Sequence, residues 1–123
     1  MALRRLSCLL LTVLAVACGQ REDAMLLGSW RAVDVREGAD SLRLNPAEIG
    51  FTFHEDNRYD YRSTLKYREA GTWRYENGYL YAQDTTGQSS EQYIVAVDLL
   101  TPDSLQLRMR GDSAERRVLL LRE

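Results

Sequence analysis

From Gly28 to the C-terminus, apolar and polar residues alternate in short runs that Gly, Asn, Asp or Pro interrupt about every ten residues. A period of two belongs to strands with one buried face, because successive side chains on a strand point to opposite sides. Ile49, Phe51 and Phe53 alternate with Gly50, Thr52 and His54, so three large apolar groups share one face of a predicted strand. Tyr59, Tyr61, Leu65 and Tyr67 alternate with Asp60, Arg62, Thr64 and Lys66, predicting a second strand over 59–67 with one aromatic and one charged face. Residues 55–57 form the turn between them. Asn77-Gly78 between the runs 71–75 and 79–83 is the strongest short hairpin signal in the chain. Runs at 30–35, 91–100, 105–110 and 115–122 bring the count to eight, and no amphipathic helical pattern interrupts them.

Eight consecutive short strands predict an all-β, antiparallel, up-and-down barrel, since closure removes the two exposed edges. Alternate connections then lie at opposite ends. The turns 55–57, 76–78 and 101–104 are tight and share one end. The connections 36–48, 68–70, 84–90 and 111–114 share the other and include the two longest, which predicts a mouth there. The run 91–100 is apolar in both registers, so its inward face stays open, with a bulge midway as the device that could switch it. In the last strand, an inward Arg122 implies that Val118 and Leu120 are inside and Leu119 and Leu121 outside.

The first 18 residues follow a different pattern. Arg4 and Arg5 precede an apolar run over 9–17 and then Cys18, the order of an export signal. The run is shorter than the ~20 residues a helix needs to cross a bilayer core. Residues 14–18, Leu-Ala-Val-Ala-Cys, resemble the lipobox of bacterial lipoproteins, with Leu14 one place earlier than the usual position. That resemblance implies a signal peptide over 1–17, lipidation of Cys18, and a short polar tether over 18–25 before the domain at 26–123. Localisation would then be the bacterial cell envelope, anchored by lipid, in the outer membrane. The alternative is an ordinary signal cleaved nearby, leaving Cys18 as a free thiol. On either reading Cys8 departs with the signal, so disulfide chemistry within the mature chain is not expected.

The net charge is −2 with 16 basic and 18 acidic residues, and loss of Arg4 and Arg5 makes the mature chain more acidic. A nucleic-acid partner is not expected from that balance. Seven tyrosines, two tryptophans and two phenylalanines supply a packed core and exclude a disordered tail.

Gly28-Ser29-Trp30 opens the first strand and Arg122 closes the last. These residues resemble the lipocalin-type barrel, in which a GxW tryptophan at the closed end packs against an arginine of the final strand. The stretch 26–122 is similar to the lipocalin-like domains of small bacterial lipoproteins, with an LxGxW start, a GTWxYENGxL centre and a terminal apolar strand ending in arginine. The resemblance implies that Gly28, Trp30 and Arg122 close the barrel. The strands are shorter than in a full lipocalin, which limits the cavity.

Candidate chemistry is sparse. His54 is the single histidine, too little for a metal site or a hydrolytic triad, and it is expected to face outward beside the turn 55–57. Ser63 to Lys66 spells SxxK, which needs a helical turn to bring serine and lysine together. On the predicted strand they point apart. Arg110-Gly111-Asp112-Ser113 spells an adhesion tetrapeptide but is also ordinary hairpin chemistry. No cofactor, metal or catalytic residue is expected, and the chain does not read as an enzyme. Phe51, Phe53, Tyr59, Tyr61, Trp73 and Tyr75 all project inward on this reading, with Tyr67 nearer the mouth beside Gln83 and Arg68. They are the candidate ligand-binding residues. Two functions stand side by side: an anchored barrel binding a small, partly apolar ligand, or a filled barrel serving as an interaction module, an accessory lipoprotein or an inhibitor of an envelope enzyme.

Overall fold

The computed structural model describes residues 23–87, 92–111 and 113–123. The signal read at 1–17, the lipidation site Cys18 and the first part of the tether, together with parts of the 84–90 and 111–114 connections, lie outside the described residues. Nine strands follow in order: β1 Gly28–Glu37, β2 Asp40–Ser41, β3 Gly50–Phe53, β4 Arg58–Arg62, β5 Arg68–Glu76, β6 Tyr79–Asp84, β7 Gln92–Leu100, β8 Ser104–Arg110 and β9 Glu115–Arg122. Every neighbouring pair is antiparallel, and β9 returns to pair with β1 from Trp30↔Arg122 to Glu37↔Arg116. Eight strands thus close a barrel, while the two-residue β2 pairs with the end of β1 alone.

Alternation of small and large inward residues explains the closure. Trp30, Ala32 and Val35 of β1, Leu120 and Val118 of β9, and Leu105 and Leu107 of β8 are all buried and face one another across the registers. A bulge between Ala32 and Asp34 pushes Val33 outward and restores Val35 to the interior. The expected bulge in 91–100 lies between Val97 and Leu99. It resolves the open register: Tyr93 pairs with buried Ala82, Val95 with Leu80, Val97 with Leu107 and Leu100 with Leu105, so these four face inward. Val118 and Leu120 are inside and Leu121 is exposed, as the terminal pattern requires.

Two expectations need correction. The stretch 59–67 is not one strand: β4 stops at Arg62, and a 3-10 turn over Thr64–Lys66 follows, closed by Ser63 N–H to the Tyr67 carbonyl at 3.0 Å. Leu65 and Lys66 take positive φ there, so Leu65, read as inward, is 97% exposed. Ser63 and Lys66 therefore sit on a turn and not on a strand. The second correction concerns the tether. Residues 23–26 form a helical turn under the barrel, with Leu26 fully buried, so the folded unit starts before 26.

Candidate functional site

The base of the barrel is built around Trp30 and Arg122. The Trp30 indole N–H donates to the Leu26 carbonyl at 2.8 Å, and the Arg122 guanidinium lies 4.1 Å above the indole ring. Arg122 donates through all three of its nitrogens, to Pro102 O, Leu27 O and Met25 O, each at 2.6 Å. One planar fork thereby fastens the 101–104 turn, the start of β1 and the N-terminal turn together. Gly28 has φ +113, and a Cβ there would stand 2.7 Å from Arg122 Nη1. The three residues assigned to closure therefore meet at one point.

Above them Phe53, Tyr59 and Trp73 are buried and fill the lower interior. Phe53 meets Trp73 edge-on at 5.3 Å, and the Trp73 indole N–H donates to His54 O at 3.3 Å. Gly71 lies opposite, where the Gln83 backbone and the Tyr59 ring leave no room for a Cβ. Phe51, Tyr61 and Tyr75 are packed against this core but only half-buried. Phe51 stacks on Tyr61 at 4.7 Å, and Tyr61 meets Tyr67 edge-on at 6.1 Å. Trp73, Phe53, Phe51, Tyr61 and Tyr67 thus form one continuous run of ring contacts. At the rim Tyr67 and the inward-facing Tyr93 are 48% and 42% exposed.

Polar groups gather at the same rim. Tyr59 donates its hydroxyl to Glu69 Oε2 at 2.7 Å, and Tyr67 donates to Glu69 Oε1 at 3.1 Å. Burial, with the Glu69 carboxylate accepting its hydrogen bond, pushes the Tyr59 phenol far above its ordinary range. The Glu69 hydrogen bond raises Tyr67 as well. Asp84 is held below the usual carboxylate range by hydrogen bonds from the Thr86 side chain and backbone. On the opposite wall Arg116 of β9 reaches Glu37 at 3.4 Å, and its Nε is buried without a hydrogen-bond partner among the described residues. A depression of about 310 Å³ lies on the outer face of β3 to β5, lined mainly by Thr52, Asp60, Arg62, Arg68 and Ala70 and reaching Glu69 and Thr86 at its upper edge. A larger one of about 520 Å³ also lies on the outer wall, over Tyr79, Ile94 and Ala96.

Tyr67 does not meet Gln83, which pairs with Thr72 on the outer face. The residues that sequence reasoning missed are Glu69, Asp84 and Tyr93. The signal was present in the alternation: Glu69 shares parity with Trp73 and Tyr75, and Asp84 shares it with Leu80 and Ala82. His54 is exposed as expected and bonds Asp60 at 2.7 Å. Among the described residues no group of three or more His, Cys, Asp or Glu side chains could hold a metal ion.

The backbone superposes on a lipocalin-like protein from Bacteroides uniformis ATCC 8492 with a TM-score of 0.61 and 12% identity, covering 80% of this chain and 99% of that one. The barrel has a lipocalin-like fold. An uncharacterized protein from Bacteroides eggerthii DSM 20697 shares it, with a TM-score of 0.57, 9% identity and the same coverages. No family model matches the sequence, and no curated protein matches it. In this lipocalin-like barrel the closed end is filled with side chains, whereas the open end combines half-exposed aromatics with fixed hydrogen-bonding groups.

Proposed function

We propose that the chain is a lipid-anchored envelope lipoprotein whose lipocalin-like barrel binds a small, partly apolar molecule at its open end, without catalysis. One observation carries the reading: Tyr67, edge-on to the Tyr61 ring, and Tyr93, opposite buried Ala82, keep nearly half their surface exposed. Inward aromatics of a filled barrel would be covered by their neighbours, as Tyr59 and Trp73 are. Half-covered rings beside Glu69 and Asp84 offer a ligand apolar contact on one side and hydrogen-bond acceptors on the other.

The filled base supports the interaction-module alternative, because eight-stranded barrels are just wide enough to be packed by side chains. On that reading the exposed Leu65 at the rim is the contact residue.

The test is native mass spectrometry of the Cys18→Ser mature domain purified gently from its own envelope extract, before and after denaturation. Added mass released on denaturing, and diminished by Tyr67→Ser with Tyr93→Ser, is the expected result. A bare chain in every preparation overturns ligand binding and directs the search to a protein partner by crosslinking. Anchoring is tested apart from this: Cys18→Ser is expected to abolish palmitate labelling, and unchanged labelling overturns the lipoprotein reading.

A further inference from the structure

We infer that the turn between β4 and β5 is a membrane-contacting tip: Leu65 and Tyr67 enter the headgroup region of an anionic phospholipid surface while Lys66 and Arg68 meet its phosphates. Neither a lipid on Cys18 nor a ligand in the mouth is needed for it. Leu65 is 97% exposed, so its side chain buries almost no apolar surface within the chain. Its backbone nevertheless takes φ +59, as does that of Lys66, a conformation that residues with a Cβ adopt at a cost and glycine adopts freely. The turn is held in that shape. Ser63 N–H donates to the Tyr67 carbonyl at 3.0 Å, Tyr67 N–H to the Thr64 carbonyl at 3.3 Å, and the Tyr67 hydroxyl to Glu69 at 3.1 Å. A leucine is thus fixed outward in a costly conformation without any return from the fold, which points to a contact outside the chain.

The neighbouring side chains identify that contact. Lys66 and Arg68 are exposed and take part in no ion pair among the described residues. Arg62 is engaged by Glu123, and Glu69 gives its carboxylate to the Tyr59 and Tyr67 hydroxyls. The tip is therefore locally cationic on a chain whose net charge is −2. Apolar, aromatic and basic side chains in consecutive positions match the layers of a lipid surface: leucine below the headgroups, tyrosine among them, ammonium and guanidinium on the phosphates. A protein partner is the poorer match. Stable protein interfaces cover about 800 Å² on each side, whereas the exposed large apolar residues outside the turn lie on β1, β6, β7 and β9, so no broad apolar face surrounds it. A bilayer accepts a single projecting point.

Co-sedimentation of the soluble Cys18→Ser mature chain with vesicles tests this, using phosphatidylcholine alone and phosphatidylcholine with about a third phosphatidylglycerol. At lipid concentrations on the order of millimolar, the anionic vesicles are expected to retain the protein at least about fivefold better than the neutral ones. Leu65→Gly and Lys66→Gly both suit the positive φ, so the fold is kept while partition falls, roughly tenfold for the first and about fivefold for the second. Arg58→Gln removes an exposed charge at the base end of β4 and is expected to bind as wild type. Equal retention by the two kinds of vesicle, an unaffected Leu65→Gly variant, or an equal loss in Arg58→Gln overturns the tip. Retention by neither vesicle overturns the membrane contact and returns Leu65 to the protein-partner reading, without touching ligand binding at the mouth.

Discussion

Replacing Arg122 with methionine keeps the aliphatic stem and removes the guanidinium, which isolates what the fork does at the base. Three hydrogen bonds to backbone carbonyls at 2.6 Å disappear together with the contact 4.1 Å above Trp30. Charge-assisted hydrogen bonds contribute about 1.5–3 kcal/mol each, but these carbonyls lie at a partly open surface where water replaces some of the loss, so about 1 kcal/mol apiece is the better figure. The cation–π contact adds about 1 kcal/mol. The expected loss is therefore on the order of 4 kcal/mol, a large part of the ~5–15 kcal/mol that holds a domain folded. For a domain of this size it corresponds to a fall in Tm of roughly 15–30 °C, at about 4–8 °C per kcal/mol.

Equilibrium urea unfolding of the soluble Cys18→Ser form, followed by near-ultraviolet circular dichroism, measures it. Arg122→Lys supplies the control, because an ammonium keeps the charge above the indole but cannot reach three carbonyls in one plane. It is expected to recover less than half of the loss. A destabilisation under about 1 kcal/mol for the methionine variant, or a lysine variant equal to wild type, would refute the fork as the closing device.

Three further outcomes follow from the geometry. Leu65→Ser is expected to change stability by less than about 0.5 kcal/mol, since the side chain is 97% exposed; a larger loss in the same urea titration would mean the turn packs against something. Asn77→Pro is expected to cost more than about 1 kcal/mol, because Asn77 has φ +53 where proline is fixed near −65°, and an unchanged melting curve removes this turn from the closed end. Tyr59→Phe is expected to reduce stability at neutral pH by about 1–2 kcal/mol through the lost Glu69 hydrogen bond. The same variant tests alkaline behaviour. A phenol whose folded pKa is raised retains its proton when the unfolded chain has lost it, so wild-type stability holds below pH ~10 and falls above it. Tyr59→Phe flattens that fall, and identical alkaline limbs for the two proteins would contradict the assignment.

The barrel was legible because its information is local. Period-two runs, Asn77-Gly78 and the unequal connections each need only neighbouring residues to be read, and closure follows from the need to cover edges. The Trp30–Arg122 pair was legible by resemblance, and the registers put both on the inner face. What escaped depended on backbone geometry that residue type does not announce. Leu65 fits the apolar alternation of 59–67, yet the chain leaves β4 at Arg62, and positive φ at Leu65 and Lys66 turns the leucine outward. Glu69 and Asp84 carried inward parity, but charged residues are seldom placed inside a barrel on sequence grounds alone, since an unpaired buried charge is costly. In the structure both carboxylates stay at the rim and partly exposed, Glu69 accepting from the phenols of Tyr59 and Tyr67 and Asp84 from the Thr86 hydroxyl and amide.

The placement of those groups divides the labour along the barrel axis. Apolar burial is concentrated at the base, where Trp30, Leu26, Leu105 and Leu120 are fully covered, and the Arg122 fork ties three separate segments to it. Toward the mouth Val35, Leu107 and Val118 stay buried on the β1, β8 and β9 side, where the ladder continues to Glu37↔Arg116, while Tyr67, Glu69 and Tyr93 on the other side are partly exposed. The partly exposed side of the mouth contributes little to that burial and is free to vary. Substitutions at Tyr67, Glu69 or Tyr93 should therefore alter what is bound far more than whether the chain folds, and substitutions at Trp30 or Arg122 should do the reverse.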